Sequence, residues 1–325
     1  MKTIFKTILT LLILVNVSSC KEGNNTNDIE SSGLDEIEVK INELLSKMTL
    51  EEKIGQTNMR GTSSRAKSLS KELKEAVRKG HVGALLNVMN IDFVNELQRI
   101  AVEESPNGIP IIFSRDVIHG FKTIFPIPLG LAASWDTEVA KKSSEIAAYE
   151  ASSVGIRWTF APMLDIARDS RWGRIAESPG EDPYLASVLG KAYVEGFQGG
   201  DLSNPTTMAA CAKHYIAYGA AIGGRDYNTV NLSEPLLRNV YLPPFKSALD
   251  AGAATVMSSF NEVNGVPVTG NEFLLKDVLR NELNFDGFVV SDWDSTKEMI
   301  THGFARDEKH AAELSANAGL DMEMT

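Results

Sequence analysis

The sequence predicts an α/β fold, a (β/α)8 TIM-like barrel that reaches about its last strand at residue 325. Three observations predict it. Short apolar runs rich in β-branched residues alternate with helical patterns, as expected of parallel strands with helices packed outside them. Polar residues able to do chemistry directly follow these runs, which is where a barrel carries its active site. No G-x-G-x-x-G follows a strand, which weakens the dinucleotide-binding form of the alternative, a doubly wound open sheet.

From the N-terminus, Lys2 and Lys6 precede an apolar run at 8–15. The run is too short to span a bilayer but fits a secretory signal. Val17-Ser18-Ser19-Cys20 resembles a bacterial lipobox. Residues 1–20 are therefore expected to be a lipoprotein signal peptide, with Cys20 as the lipidated first residue of the mature protein. A plain signal peptide with an incidental cysteine is the alternative. Residues 21–34 are polar and rich in Asn, Ser, Glu and Gly, a composition that suits a flexible tether.

The barrel domain is expected over 35–325. Ile37, Ile41, Leu44, Leu45 and Met48 form a helical stripe, and Thr49-Leu50-Glu51-Glu52 is a capping-box pattern that starts the next helix. Strands are expected at 82–88, 109–114, 156–162, 206–212, 254–260, 288–291 and 320–325, and 56–59 could supply a short eighth. Helices are expected at 136–154, 184–199, 233–251, 272–283 and 307–318.

Composition narrows the function. With 43% hydrophobic and 23% charged residues, the chain is that of a soluble globular protein. The 32 basic residues are outnumbered by 43 acidic ones, a net charge of -11 without a basic cluster, so nucleic acid is not an expected partner. Two cysteines, Cys20 and Cys211, support neither a disulfide framework nor a Cys-based zinc site. His81, His119, His214, His302 and His310 are scattered, without the paired spacing of a barrel metallohydrolase. No metal and no cofactor are expected. Gly223-Gly224-Arg225 has no strand directly before it, so it reads as a loop presenting Arg225 and not as a phosphate cradle.

Asp116, Asp165, Lys213-His214, Asn261-Glu262 and Asp292 each end or follow an expected strand. Any one of them could be a helix cap or a turn residue. Five in register on one rim point to a pocket. Acidic and basic side chains around one pocket suit the forked hydrogen bonding of sugar hydroxyls. Glycoside hydrolysis with retention needs a nucleophilic carboxylate and a second carboxyl about 5 Å away. Asp292 is a candidate nucleophile, and Trp293 beside it offers a face for a sugar ring.

Six segments then carry a resemblance: Leu-Leu-Ser-Lys-Met-Thr-Leu-Glu-Glu-Lys-Ile-Gly-Gln at 44–56, Arg-Asp-Val-Ile-His-Gly at 115–120, the run at 123–136 ending Ala-Ala-Ser-Trp-Asp, Ala-Pro-Met-Leu-Asp-Ile-Ala-Arg-Asp-Ser-Arg-Trp-Gly-Arg at 161–174, Ala-Lys-His-Tyr at 212–215 and Gly-Phe-Val-Val-Ser-Asp-Trp at 287–293. From about residue 37 onward the chain resembles the N-terminal domain of family 3 glycoside hydrolases, most of all their periplasmic β-glucosidase branch. The resemblance implies that Asp292 is the nucleophile and that Asp116 accepts hydrogen bonds from the bound sugar. It implies that Arg174, Lys213, His214 and Arg225 bind the remaining hydroxyls, and that the Lys213–His214 peptide is cis. Arg171 is expected to be a structural ion-pair residue.

Two departures stand out. Phe260 replaces a tyrosine common near the nucleophile, so that hydroxyl is lost or supplied otherwise. The loop at 215–219 lacks the histidine that serves the N-acetylglucosaminidase branch. The acid/base is then expected to be a glutamate of a following α/β sandwich domain, beyond Thr325, with this chain a part of a longer protein. Glu262 or Glu323 is the alternative acid/base. The expected activity is that of an exo-acting retaining β-glucosidase on β-linked oligosaccharides. The alternatives are a β-xylosidase, an N-acetylglucosaminidase or a non-catalytic glycan-binding lipoprotein. Export is expected, with the lipid anchor as the sole membrane contact, in an outer membrane because Lys21 follows Cys20.

Overall fold

A computed structural model describes residues 25–325. The signal peptide with Cys20 and the start of the tether lie outside the described residues. The helix Asn25–Lys47 begins inside the stretch read as a tether, ten residues before the stripe at 35–48. Its Ile37, Ile41 and Leu45 are exposed.

In the body that follows, eight strands form the barrel wall: β1 Asn58–Gly61, β2 Ala84–Leu86, β3 Ile112–Arg115, β4 Trp158–Thr159, β5 Cys211–Tyr215, β6 Thr255–Ser258, β7 Phe288–Ser291 and β8 Glu323–Met324. Every neighbouring pair is parallel. One arc runs β8-β1-β2-β3-β4 and the other β5-β6-β7. Parallel bridges Trp158–Ala209 and Met163–Lys213 join β4 to β5, and Val290–Met322 joins β7 to β8. The ring is closed, which excludes the open sheet.

Side chains alternate across this wall, as the pleat requires. Met59, Leu86, Trp158, Phe160, Cys211, Met257, Val290, Met322 and Met324 meet in one buried cluster that fills the interior. Leu85, Phe113, Val256 and Val289, at the intervening positions, pack outward with residues of the helices. Trp158 is the interior's largest member, edge-on to Phe160 and Phe288, with its indole N–H donating to Thr255 Oγ1 at 2.9 Å. That bond satisfies a donor that would otherwise be costly to bury.

Outside lie the helices Thr137–Ser152 and Pro183–Gln198, a continuous helical run over 234–250, and the helices Phe273–Glu282 and Glu308–Ala318, close to the expected spans. Two further helices, Lys71–Arg78 and Ile91–Arg99, were not read from the sequence. They are short and mostly polar, burying only Ala76, Val77, Val94 and Leu97 fully, although their few apolar residues share one face. The capping box at Thr49 is present: Thr49 N–H donates to Glu52 Oε2 at 2.8 Å and Glu52 N–H to Thr49 Oγ1 at 3.2 Å.

Gly83 shows how tightly the first two strands meet. A Cβ there would lie 2.1 Å from the Gln56 carbonyl oxygen, a backbone atom that cannot swing aside. Gly83→Ala is expected to destabilise the fold by about 2–3 kcal/mol. Chemical denaturation should show a lower midpoint with the slope unchanged.

Candidate active site

The ends of β3, β5 and β7 and the loop after β4 bring the site together on the C-terminal rim. Asp116 directly follows β3, and Asp292 directly follows β7. Asp165 and Arg174 lie in the loop after β4, which is stitched to β5 by Leu164 N–H donating to the Lys213 carbonyl at 2.6 Å. Lys213 and His214 lie within β5. This corrects the expected strand at 206–212: the ladder begins at Cys211 and runs on through Tyr215. A lysine and a histidine read as a strand end, yet both are fully sequestered here because carboxylates from neighbouring loops receive them. Their peptide bond is cis.

Four charged contacts define the geometry. Lys213 Nζ donates to Asp116 Oδ1 at 2.7 Å; the lysine side chain is 4% exposed and the aspartate 52%. Arg174 grips Glu177 through Nε at 2.7 Å and a terminal nitrogen at 2.9 Å. His214 meets Asp165 Oδ2 through Nδ1 at 2.7 Å, and the His214 backbone N–H donates to the same oxygen at 2.9 Å. On its other side His214 Nε2 stands 3.3 Å from Asp292 Oδ2.

The electrostatics follow from burial and these partners. Burial pushes the Asp292 carboxyl up to about 6, opposed by the Lys213 cation, the Trp293 N–H that donates to Oδ1 at 2.7 Å, and Arg174. Asp165 is fully buried and is raised by desolvation to about 7. Burial, then Arg174 and Lys213, hold His214 well below the ordinary histidine value, so it is neutral. Burial is the largest influence on Lys213 and opposes its charge, but Asp116, Asp292 and Glu177 together more than offset it and keep the ammonium protonated. The result is a partly desolvated carboxylate with two fixed cations near it. Such a group is a competent nucleophile in a site where charge interactions are strong.

Trp293 is 45% exposed. The far edge of its indole lies against Gly61 at the end of β1, so close that a Cβ there would be 2.5 Å from Trp293 Cη2. The ring thus stands on the rim, half exposed. Arg225 is not brought into this cluster: it is exposed, and its Nε donates to the Ile222 carbonyl at 3.3 Å. Arg171 pairs with Asp169 at 2.6 Å on the surface, as expected of a structural ion pair. Phe260 is buried among Met163, Ala167, Trp172 and Tyr218. Among the described residues, neither Glu262 nor Glu323 forms a hydrogen bond or ion pair with Asp292 or His214; Glu262 accepts from the Gly265 N–H. No three His, Cys, Asp or Glu side chains come together as a metal site among the described residues.

Sequence reasoning missed Glu177, whose spacing of three from Arg174 was a usable signal. It also missed Glu298, one turn into the helix Ser295–Thr301. Its carboxyl is raised to about 7 by partial burial, then by the charges of Asp292, Asp294 and Asp226.

The model of the glycosyl hydrolase family 3 N-terminal domain matches residues 49–325. The chain belongs to glycoside hydrolase family 3. A periplasmic β-glucosidase of Salmonella typhimurium is 42% identical over 284 residues, covering 87% of this chain and 37% of that protein. A β-xylosidase of Formosa agariphila is 37% identical over 258 residues, covering 75% of this chain and 36% of the relative. The crystal structure of a β-glucosidase from Listeria innocua in complex with gluconolactone superposes with a TM-score of 0.84 at 44% identity, covering 89% of this chain and 42% of that one. The family 3 barrel described here therefore spans about two fifths of the length of these relatives.

Proposed function

We propose that this family 3 barrel carries the nucleophile and the sugar-binding residues of an exo-acting, retaining β-glucosidase. The observation that supports it most is the buried Asp292 carboxylate, close to Lys213, Arg174 and His214. Asp292 attacks the anomeric carbon, the glycosidic bond breaks, and the sugar is held as an ester until water releases it. Asp116 and Lys213 face each other as acceptor and donor, a pair suited to adjacent hydroxyls. Trp293 supplies an apolar face for the ring. Arg225 joins the binding set if its loop turns inward over a ligand. A glutamate of a following α/β sandwich domain supplies the proton to the leaving group, as the family resemblance implies. Substrates are β-linked oligosaccharides; a mutant of the Listeria innocua relative has a crystal structure in complex with laminaribiose. The protein is exported and anchored to the outer membrane through lipid on Cys20, a reading supported by the lipobox and by the periplasmic relative.

A second reading, β-xylosidase, is favoured by the Formosa agariphila relative. One experiment separates the readings. The chain is incubated with 2-fluoro glucosides, 2-fluoro xylosides and 5-fluoro N-acetylglucosaminides that carry a good leaving group, and the adducts are mapped by mass spectrometry. The glucoside should label Asp292 fastest. Preferred labelling by the xyloside selects the second reading. Sugar binding without any adduct selects a non-catalytic glycan-binding protein.

A further inference from the structure

Asp165 is completely buried, and both donors it receives belong to one residue. His214 gives it the ring Nδ1 at 2.7 Å and the backbone N–H at 2.9 Å, both on Oδ2. Its other oxygen, Oδ1, has no partner at all. On the far side of the imidazole, Nε2 and Asp292 Oδ2 lie 3.3 Å apart, and each is buried without a hydrogen bond. The two atoms are close but not aligned for a hydrogen bond, so neither satisfies the other.

We propose that Asp165 is a positioning residue that fixes the imidazole proton of His214 on Nδ1, leaving Nε2 a bare acceptor beside an uncapped Asp292. Which nitrogen of a neutral histidine carries its proton is set by the bond the other nitrogen makes. Here the ionised Asp165 claims the proton at 2.7 Å, and the backbone N–H on the same oxygen keeps the carboxylate from rotating away. A second proton is opposed by burial and by Lys213 and Arg174. The other charged or titratable groups facing the cluster include Asp116 and Glu177, each held by one of those cations, Tyr218, whose ring is edge-on to the imidazole at 5.2 Å, and Glu298 and Tyr227, which feel the charge of Asp292. Two consequences follow. The nucleophilic oxygen is not tied up by an internal hydrogen bond. Nε2 and Asp292 together present two neighbouring acceptors, which select a ligand group that donates, such as a sugar hydroxyl. That second consequence rests on the β-glucosidase reading; the position of the proton does not.

The test is nitrogen NMR of the full chain labelled with 15N-histidine, with His214 assigned by the signal lost in His214→Gln. It is run at about pH 8, above the value of about 7 to which burial pushes Asp165. The expected spectrum shows a protonated Nδ1 and an unprotonated Nε2 for His214. A protonated Nε2, alone or with Nδ1, overturns the proposal in the unmodified chain, without reliance on any variant. Asp165→Asn should leave the spectrum unchanged, because only the amide oxygen can sit where two donors converge. Asp165→Ala should move the proton to Nε2. Glucose affinity by calorimetry should drop about tenfold in Asp165→Ala and stay within about twofold in Asp165→Asn. A spectrum that does not move in Asp165→Ala, with stability alone reduced, assigns Asp165 a merely structural role and overturns the proposal. If the unmodified chain binds no glucose, the β-glucosidase reading fails, and the nitrogen spectrum still decides where the proton is.

Discussion

Asp292→Asn is expected to abolish covalent labelling of the chain by activated glucosides, by about 10⁴-fold or more, and at the same time to stabilise the fold at neutral pH. The first effect follows from chemistry: an amide oxygen in the same place is a far poorer nucleophile. The second follows from burial. The carboxyl is raised to about 6 in the folded chain, against about 3.9 when exposed. The folded state therefore holds the proton more tightly than the unfolded one. Stability contributed by this group falls as pH rises from about 4 to about 6 and stays reduced above that. The neutral amide escapes this cost, which amounts to roughly 2–3 kcal/mol. Thermal unfolding at pH 5 and pH 8 checks it. The variant's advantage should be larger at pH 8; an advantage that does not change with pH means that burial of this charge is not what sets it.

Lys213→Met should have the next largest effect, and of a different kind. The ammonium is the first of the groups that hold Asp292 ionised against burial. Without it the carboxyl titrates above about 6, so the acid limb of the labelling rate moves to higher pH. On the proposed reading a charged hydrogen bond to the ligand is also lost, which should lower kcat/KM by a further factor of about 10–100 even at the new optimum. Asp116, the abandoned partner, is half exposed and can be hydrated. The fold should therefore survive the change, unlike one in which a buried charge is left unpaired. The pH dependence of kcat/KM for an activated aryl glucoside is the measurement. An acid limb that stays in place while the rate drops would assign Lys213 to ligand binding alone.

The barrel, its strand order and most of the residues on its rim are written in the chain order. Strand-helix alternation leaves few topologies, and the polar residue after each apolar run marks the end of the strand that carries chemistry. The rim positions of Asp116 and Asp292 are legible for that reason, and the capping box at Thr49 is legible from its own local pattern. How these residues are paired is settled only once the barrel closes. Nothing in the chain order says that Lys213 bonds an aspartate 97 positions away, or that Asp165 bonds the ring 49 positions on. Closure also puts Lys213 and His214 inside a strand, and it leaves Arg225 in an exposed loop away from the other site residues. The difference is one of range. Periodicity and turn chemistry act between residues a few positions apart, whereas the state of a buried charge depends on whichever groups the closed barrel places against it.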